Sequence, residues 1–304
     1  MSPTTGSPEP PGASEGDPAG DPTAAPAPAQ PAPAASRAGR NLPAAIGVGV
    51  LLAAIALASL YWQRWLFVLV IVAAIVIGTD ELATALRSKG IALSKIPLLT
   101  AAVLLPVLGY FAEPTQVLMA FGLLFLFTIV WRLFRHGVDE FVADSTASGF
   151  VLAYAPLMGG FAALIAASPD GADRVVTFIV LSVASDIGGY AAGVLFGKHP
   201  MAPAISPKKS WEGFAGSVTL QVVLGVLLFV LLLDGQWWQG AVVGAVMTVT
   251  ATLGDFVESA MKRDLGIKDM SNLLPGHGGL MDRLDSIIPN TVVAYALFAV
   301  TLGL

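Results

Sequence analysis

The sequence predicts an all-α, polytopic integral membrane protein with about nine transmembrane helices and a disordered N-terminal tail. Composition is the first observation behind this prediction: 55% of the 304 residues are hydrophobic and 12% are charged, and the mean hydropathy is +0.75. Soluble globular domains are far less apolar. The second observation is a series of apolar runs, each close to the roughly 20 residues that cross a bilayer as a helix. The third is that basic residues gather in alternate loops between these runs.

Residues 1–41 form a predicted tail of different composition. Ten of the 21 prolines lie there, among Ala, Gly, Ser and Thr, without apolar periodicity. Such a segment cannot bury enough apolar surface to offset its ordering entropy, so we expect it to be disordered. It does not resemble a signal peptide, because its basic residues Arg37 and Arg40 follow the long polar stretch.

Nine apolar runs follow the tail. Residues 42–173 contain the N-terminal group of predicted membrane helices, and residues 174–304 contain the remaining helices together with the polar motifs. An aromatic and polar segment at 61–65 separates the first two runs and is typical of a membrane interface. The runs lie at 43–62, 65–80, 96–112, 115–134, 147–168, 174–197, 214–233, 238–261 and 286–303.

The distribution of basic residues predicts the orientation. With nine spans, 14 of the 16 Lys and Arg residues fall in the tail or in loops on its side of the membrane, and only Arg64 and Arg174 fall on the other side. The positive-inside rule therefore places the tail and the charged loops in the cytoplasm. An error in the number of spans would mix the two groups, so this clean separation also favours nine.

Several kinds of site are excluded by what the sequence lacks. There is no cysteine, so disulfides, thiolate metal sites and a Cys nucleophile are absent. The three histidines are far apart in sequence, which argues against a His-ligated zinc site. Neither a Gly-x-Ser-x-Gly elbow nor a Walker-type glycine loop occurs. The formal net charge of −5 does not identify a partner, and we expect no nucleic acid.

The sixth run contains an acidic residue in an otherwise apolar segment. Asp186 shares one helical stripe with Tyr190, Gly193 and Gly197. A carboxylate inside a bilayer is costly and needs a partner or a wet cavity. We interpret Asp186 as functional and the glycines as positions of close helix packing. The alternative for Asp186 is a packing role, in which it bonds to a neighbouring helix.

The loop after this run carries two adjacent lysines. Lys208 and Lys209 are flanked by the hydroxyl groups of Ser206 and Ser210. Ammonium and hydroxyl groups on one loop suit a phosphate-rich ligand. The alternative is a lysine pair that only follows the positive-inside rule or attracts anionic lipid.

Residues 254–286 bring charged side chains and a glycine-rich turn together in an otherwise oily protein. If the eighth run continues as a helix through its charged end, then Asp255, Glu258 and Lys262 share one face. The sequence Leu-Pro-Gly-His-Gly-Gly at 274–279 interrupts any helix.

Two further carboxylates, Asp282 and Asp285, follow this turn with helical spacing. Carboxylates beside a turn rich in backbone N–H groups are what a hard cation and a polyphosphate require together. The alternative interpretation is an ordinary charged loop between two membrane helices. His277, in the turn, suits either proton transfer or a hydrogen-bonding support.

This stretch resembles the signature of the phosphatidate cytidylyltransferase (CDP-diacylglycerol synthase) family. The matching pieces are Ser-Ala-Met-Lys-Arg at 259–263, Lys-Asp at 268–269, Pro-Gly-His-Gly-Gly at 275–279 and Asp-Arg-Leu-Asp at 282–285. The segments 186–190 and 206–213 resemble the family's two other motifs, with Ser210 where many members have Thr. The resemblance is strong over 174–304, consists of hydrophobic spans over 43–173 and does not include the tail.

The resemblance implies that the protein transfers CMP from CTP to phosphatidic acid, giving CDP-diacylglycerol and pyrophosphate. It implies Mg²⁺, with a monovalent cation such as K⁺ as a second ion, and a homodimer in the cell (inner) membrane with a cytoplasmic active site. The metal ligands would be Asp255, Glu258, Asp282 and Asp285. The expected catalytic residues are Asp186, Lys208, Lys209, Lys262, Arg263, Asp269, His277 and Arg283. The expected substrate-binding residues are Tyr190, Ser206, Lys208, Lys209, Ser210, Gly276, Gly278 and Gly279.

Other functions stay open at this point. The nearest alternative is a membrane enzyme of the same kind that uses another lipid phosphate as acceptor, or another nucleotide, since no residue in the motifs identifies the cytosine base. A CDP-alcohol phosphotransferase fits poorly, because its Asp-Gly-x2-Ala-Arg-x8-Gly-x3-Asp-x3-Asp arrangement is missing. A cation-coupled transporter would use Asp186, Asp255 and Glu258 as an ion pathway. Transporters commonly contain internal repeats, and the sequence shows none.

Overall fold

The computed structural model describes residues 51, 54–273 and 278–303. The predicted tail, most of the first apolar run, Gly276 and His277 lie outside the described residues.

The described chain is a helical bundle with one short hairpin. Residues 54–62 are helical. A π-helical turn at Ala153–Leu157 joins the helix that ends at Leu152 to the helix that begins at Met158. Strands β1 (Pro200–Ala202) and β2 (Ser206–Ser210) pair antiparallel in the segment between the helices Gly171–Phe196 and Trp211–Leu231. The helices are α1 (Arg64–Arg87), α2 (Lys95–Phe111), α3 (Pro114–His136), α4 (Phe141–Leu152), α5 (Met158–Ala167), α6 (Gly171–Phe196), α7 (Trp211–Leu231), α8 (Trp237–Leu265), α9 (Met281–Leu284) and α10 (Ile287–Leu302).

Seven helical segments in the described chain are long and apolar enough to cross a membrane. This number treats α4 to α5 as one segment, Phe141–Ala167, and α9 to α10 as another, Met281–Leu302. Helix α2 is apolar but has only 17 residues. The all-α, multi-pass prediction is confirmed. The predicted nine spans are not confirmed, because α2 is short and the first predicted span lies mostly outside the described residues.

Local sequence signals fix the ends of the helices that border the polar motifs. Helix α7 begins after Ser210, whose Oγ accepts a hydrogen bond from the Gly213 N–H group (3.1 Å), the usual arrangement of an N-cap. Helix α8 ends at Gly266, which adopts the left-handed conformation (φ 65°) that stops a helix. Lys262 and Arg263 therefore occupy the last turn of α8, as the sequence predicts.

Arg64 and Arg174, the two basic residues that the sequence places apart from the others, lie at the same end of the bundle. Arg64 donates to the carbonyl oxygen of Ser168, and Arg174 donates to the carbonyl oxygen of Gly303 (2.9 Å). The start of α1, the start of α6 and the end of α10 therefore meet. This arrangement agrees with the predicted separation of Arg64 and Arg174 from the other basic residues.

The opposite end of the bundle contains a deeply buried ion pair. Arg132, in the C-terminal part of α3, lies 2.6 Å from Asp144 in α4, and their side chains are 2% and 4% exposed. Asp144 also accepts a hydrogen bond from the Ala92 N–H group (2.9 Å). The pair joins α3, α4 and the loop between α1 and α2, so the charges are compensated where they are buried.

Glycines allow α6 and α7 to approach closely beside the hairpin. A Cβ atom on Gly188 would lie 2.7 Å from the carbonyl oxygen of Gly216, and one on Gly197 would lie 2.9 Å from Ser210 Oγ. Both distances are too short for a side chain. The glycines of α6 thus allow close packing, as expected, and this packing holds the base of the hairpin against the helix.

Candidate active site

Two adjoining cavities lie where α6, α8 and the hairpin meet. The lysine cavity has a volume of about 310 Å³, and the carboxylate cavity has a volume of about 290 Å³. Asp186 and Asp255 line both cavities. The polar residues of the lysine cavity are Ser185, Asp186, Tyr190, Ser206, Lys208, Lys209, Ser210, Ser217, Thr252 and Asp255. The carboxylate cavity is lined by Asp186, Asp255, Lys262, Asp269, Asp282, Arg283 and Asp285.

The hairpin positions the two lysines. Strand β2 carries Lys208 and Lys209, and its last residue, Ser210, is also the N-cap of α7. Lys209 forms an ion pair with Asp255 of α8, and its ammonium nitrogen lies 4.9 Å from the ring centroid of Phe256. Lys208 is exposed. One lysine is therefore held against α8, whereas the other presents its charge to solvent and to the cavity.

The predicted shared face of α8 is present. Lys262 on this face contacts two carboxylates, those of Glu258 and Asp282. The Lys262 ammonium lies 2.6 Å from Glu258 and 3.0 Å from Asp282. Glu258 is 1% exposed and lines neither cavity. Its Oε1 atom is buried without a hydrogen-bond partner among the described residues. Glu258 therefore lies beneath the site, with Lys262 between it and Asp282.

Asp282 is bonded through both of its oxygen atoms. Its Oδ2 accepts hydrogen bonds from the N–H groups of Met270 and Gly279, both at 2.8 Å, and its Oδ1 accepts one from Lys262. A Cβ atom on Gly279 would lie 3.0 Å from this carboxylate, and Gly278 adopts a positive φ of 80°. The two glycines thus allow the loop to wrap closely around Asp282.

Asp186 and Asp285 are less constrained. Asp285 Oδ1 accepts a hydrogen bond from the Ser286 N–H group (2.7 Å). The ion pairs around the cavities use Lys209 and Lys262, and within the described part of the chain neither Asp186 nor Asp285 belongs to one. Both carboxyl groups therefore offer a polar cavity oxygen atoms that no ion pair occupies and that a cation could bind.

The donor chemistry of the carboxylate cavity fits a hard divalent cation. Mg²⁺ is commonly bound through one or two carboxylates, with substrate phosphates and water completing six oxygen ligands. Five carboxylates line this cavity, but among the described residues no three acidic or histidine side chains are placed to hold an ion by themselves. The site therefore suits a cation shared with a phosphate ligand rather than one enclosed by protein.

The remaining predicted site residues are divided. Asp269 and Arg283 line the carboxylate cavity. Arg263 lines neither cavity; its Nε donates to the carbonyl oxygen of Ile205 in the turn of the hairpin. Gly276 and His277 lie outside the described residues, so their predicted roles stay predictions.

Sequence reasoning missed Glu81 of α1. This carboxylate is 7% exposed and accepts hydrogen bonds from the N–H groups of Leu280 (3.0 Å) and Met281 (2.8 Å), directly before Asp282. Only a weaker signal than the one that identified Asp186 was available here, since Glu81 directly follows the apolar run at 65–80. Its partners are about 200 positions away in the sequence, and no local pattern identifies them.

An apolar cavity of about 310 Å³ lies beside the polar ones. Two of its lining residues, Ile288 and Pro289, are one helical turn after Asp285. Pro289 also packs against Gly254, the neighbour of Asp255. An apolar space therefore adjoins the carboxylates. Its lining residues are Phe150, Ala153, Tyr154, Met158, Ile288, Pro289 and Val292.

Comparison with known proteins agrees with the resemblance found in the motifs. A family model described as the cytidylyltransferase family matches residues 43–301. A phosphatidate cytidylyltransferase of Mycobacterium leprae is 42% identical over 276 residues, covering 86% of this chain and 88% of that protein. One of Mycobacterium bovis is 40% identical over 278 residues, covering 88% and 91%. One of Helicobacter pylori is 40% identical over 139 residues, covering 45% and 52%. The chain therefore belongs to the cytidylyltransferase family.

Proposed function

We propose that the lysine and carboxylate cavities form one active site, in which CMP passes from CTP to phosphatidic acid to give CDP-diacylglycerol and pyrophosphate. Phosphatidate cytidylyltransferase activity follows from membership of the family, and the transporter alternative is set aside. The observation that carries the assignment of the site is that Asp186 and Asp255 line both cavities. Cationic side chains for a triphosphate and anionic side chains for a metal ion meet at Asp186 and Asp255.

The lysine cavity supplies the binding site for the triphosphate of CTP. Lys208 and Lys209 provide two ammonium groups, and Ser206 and Ser210 provide hydroxyl donors beside them. Hydrogen bonds from charged donors to phosphate oxygens are stronger than neutral ones. Each contributes roughly 1.5–3 kcal/mol. The hairpin holds these groups on one short strand, so the arrangement is largely in place before the nucleotide binds.

The ion pair between Lys209 and Asp255 links nucleotide binding to the carboxylate cavity. A phosphate that contacts Lys209 competes with Asp255 for the same ammonium group. Asp255 lines both cavities, so a weaker bond to Lys209 leaves its carboxylate more available to a cation. The same pair therefore favours joint occupation of the two cavities.

Asp285 and Asp186, which belong to no ion pair in the described part of the chain, and Asp255, which lines both cavities, are the residues that would hold Mg²⁺. When bound, the ion offsets repulsion between the two anionic substrates and stabilises the charge on pyrophosphate. We also include a monovalent cation such as K⁺. Five carboxylates line this cavity against two cationic side chains, Lys262 and Arg283, so negative charge remains in excess.

The chemical step requires no strong base. The phosphate oxygen of phosphatidic acid is already an anion; it attacks the α-phosphorus of CTP while the bond from that phosphorus to the β-phosphate oxygen breaks. Pyrophosphate leaves with the electron pair of this bond. The protein must therefore align the two phosphates and stabilise the charge that develops on the leaving group. Lys208, Lys209 and Arg283 are the side chains placed to do so.

The apolar cavity beside the carboxylates suits the acyl chains of the lipid substrate. Phe150 contributes to its wall and is also exposed on the outside of the bundle. This arrangement would let the lipid headgroup reach Asp285 while its tails stay in an apolar environment. We further propose that the site faces the cytoplasm, that the membrane is the cell (inner) membrane and that two copies form a homodimer. The excess of basic residues on the motif side supports the orientation.

A transfer assay tests this proposal. The purified full chain in mixed micelles is supplied with Mg²⁺, phosphatidic acid and CTP labelled at the α- or the γ-phosphate. We expect α-label to enter the lipid fraction and γ-label to leave as pyrophosphate. Entry of γ-label into lipid would indicate a kinase. Absence of lipid-soluble α-label, in protein that remains folded, would contradict the proposal. Other lipid phosphates offered in the same assay test the choice of acceptor.

A further inference from the structure

Glu81 is a buried charge that holds two sides of one loop. Its carboxylate lies near the end of α1 and is 7% exposed. On one side of the loop, Ser271 donates its hydroxyl to Glu81 Oε1 (2.5 Å). On the other side, Leu280 N–H donates to Oε1 (3.0 Å) and Met281 N–H donates to Oε2 (2.8 Å). Residues separated by about ten positions are thus tied to the same carboxylate.

The charge of Glu81 is balanced by hydrogen-bond donors. None of the ion pairs in the described part of the chain includes Glu81. A buried carboxylate without a cationic partner is costly unless several donors reach it. Three donors reach Glu81, and all belong to the loop. Disturbing this carboxylate therefore changes the loop before it changes the rest of the bundle.

The loop held by Glu81 also orients Asp282. Three consecutive N–H groups are divided between the two carboxylates: that of Gly279 points to Asp282, and those of Leu280 and Met281 point to Glu81. The N–H group of Met270, next to Ser271, donates to Asp282 as well. Glu81 and Asp282 thus both bind residues 270–271 on one side of the loop and residues 279–281 on the other. Glu81 does so from α1, and Asp282 does so from the segment that directly follows the loop.

We propose that Glu81 is a positioning residue for the carboxylate cavity, fixing the loop so that Asp282 stays bonded in place and Asp285 faces the metal ion and the CTP phosphates. The inference rests on the proposed function, because it assumes that this cavity binds the cation. Groups that hold metal-binding carboxylates in place typically change metal affinity or activity by about 10- to 100-fold when they are removed. Glu81 does so from a helix in the N-terminal half of the chain.

The substitution Glu81→Gln separates positioning from simple space filling. Glutamine has nearly the same size and shape, but one carboxylate oxygen becomes an NH₂ donor. Whichever way the amide is turned, that donor faces a backbone N–H group of Leu280 or Met281. Asp144→Asn is the matched control, because Asp144 is equally buried, also accepts a backbone hydrogen bond and pairs with Arg132 away from both cavities.

The experiment compares the full chain with both variants in detergent. Mn²⁺ binding is followed by electron paramagnetic resonance, Tm is measured, and kcat and KM for CTP are measured against Mg²⁺ concentration. For Glu81→Gln we expect a half-saturating metal concentration about 10- to 100-fold higher, with activity partly restored by excess Mg²⁺. For Asp144→Asn we expect a lower Tm. The half-saturating metal concentration should stay within about twofold of the wild type, since the Asp144 carboxylate does not contact the loop that Glu81 holds.

Two results would overturn the inference. One is wild-type Mn²⁺ binding and wild-type Mg²⁺ dependence in folded Glu81→Gln protein. The other is an equal shift in both variants, which would show a general loss of stability. If Glu81→Gln does not fold, Ser271→Ala takes its place: it removes one donor, and a metal shift below about twofold would count against the inference. The Mn²⁺ measurement needs no turnover, so an inactive wild-type protein would contradict the proposed function without deciding this question.

Discussion

At the scale of single residues, the site carboxylates differ in how many bonds they already make. Asp282 accepts three hydrogen bonds and is 5% exposed. Asp285 accepts one, from the N–H group of Ser286. A carboxylate that is fully bonded to its own loop primarily shapes the site, whereas one with free lone pairs can bind a cation. We therefore expect the two residues, which look equivalent in the sequence, to respond differently to substitution.

Asp285→Asn should abolish detectable transfer while leaving the Tm within about 2 °C of wild type. The asparagine oxygen can still accept from Ser286, so the fold keeps its hydrogen bond, but the negative charge toward the cation is lost. Lipid-soluble label from CTP and a thermal melt measure both effects. Near-normal activity at ordinary Mg²⁺ concentrations would remove Asp285 from the metal site.

Asp282→Asn should abolish transfer and also destabilise the protein by about 1–3 kcal/mol. The single oxygen of the amide can still accept from Met270 and Gly279, but the NH₂ group would then face the Lys262 ammonium, and the charge-assisted bond to Lys262 is lost. Thermal melts of Asp282→Asn and Asp285→Asn under the same conditions test the contrast. Equal Tm values would show that the loop does not depend on the Asp282 carboxylate.

Lys208→Ala or Lys209→Ala should lower kcat/KM for CTP by about ten- to a hundredfold, the effect of losing a charged donor to phosphate. Lys198→Ala is the matched control, because Lys198 is exposed at the start of the same hairpin segment and lines neither cavity. KM values for CTP and for phosphatidic acid in mixed micelles separate the substrates. A defect confined to the lipid, or one that disappears in high salt, would move the lysines to a membrane-binding role.

At the scale of secondary structure elements, the hairpin is held in place at several points. Its base is fixed by Ser210 as the N-cap of α7 and by the 2.5 Å contact between His199 and Glu212. Its turn is fixed by Arg263 of α8, which donates to the Ile205 carbonyl oxygen. Arg263, which sequence reasoning placed among the catalytic residues, thus lies where it supports the strand that carries the lysines.

Arg263→Ala should raise KM for CTP by less than about tenfold and leave kcat nearly unchanged, because one exposed hydrogen bond contributes roughly 0.5–1.5 kcal/mol. Faster cleavage within residues 198–210 by a protease in trace amounts would report the looser hairpin. A loss of kcat as large as that of Lys209→Ala would return Arg263 to the chemical step.

The elements differ in how far local sequence determines them. Helix α8 was predicted through its charged end, since Asp255, Glu258 and Lys262 follow helical spacing and Gly266 stops the helix. The hairpin was not predicted, because β2 has neither apolar alternation nor β-branched residues and contains Pro207. It forms because α7, α8 and the glycines of α6 hold its ends. The role of Glu81 depends on a contact across about 200 positions, which no window of sequence contains.

At the scale of the whole molecule, α1 contacts a candidate site whose motif residues all lie after residue 174. The predicted division into residues 42–173 and 174–304 follows composition and motifs and stays a prediction. In the structure, Glu81 of α1 contacts the loop before Asp282, and Phe150 and Tyr154 line the apolar cavity with residues of α10. The N-terminal helices therefore contribute to the candidate active site as well as to the helical bundle.

Removal of residues 1–38 should leave kcat, KM and Tm essentially unchanged. The composition of this segment provides no apolar surface to pack, and the match to the family begins at residue 43. Arg40 is kept as a basic residue beside the first apolar run. Specific activity in correctly inserted protein measures the outcome, and a large decrease would show that the segment contributes to the enzyme.

The central claim, that the two polar cavities act as one site, predicts that Mg²⁺ and nucleotide strengthen each other's binding. Isothermal titration of the detergent-solubilised protein with α,β-methylene-CTP, with and without Mg²⁺, measures this coupling directly. We expect Mg²⁺ to tighten nucleotide binding by at least about tenfold, and the nucleotide to tighten Mg²⁺ binding by the same factor, as linkage requires. Asp285→Asn should reduce the factor toward one. A protein-free titration corrects for the formation of Mg²⁺–nucleotide complexes. After this correction, equal nucleotide affinity of the wild-type protein with and without Mg²⁺ would contradict the claim.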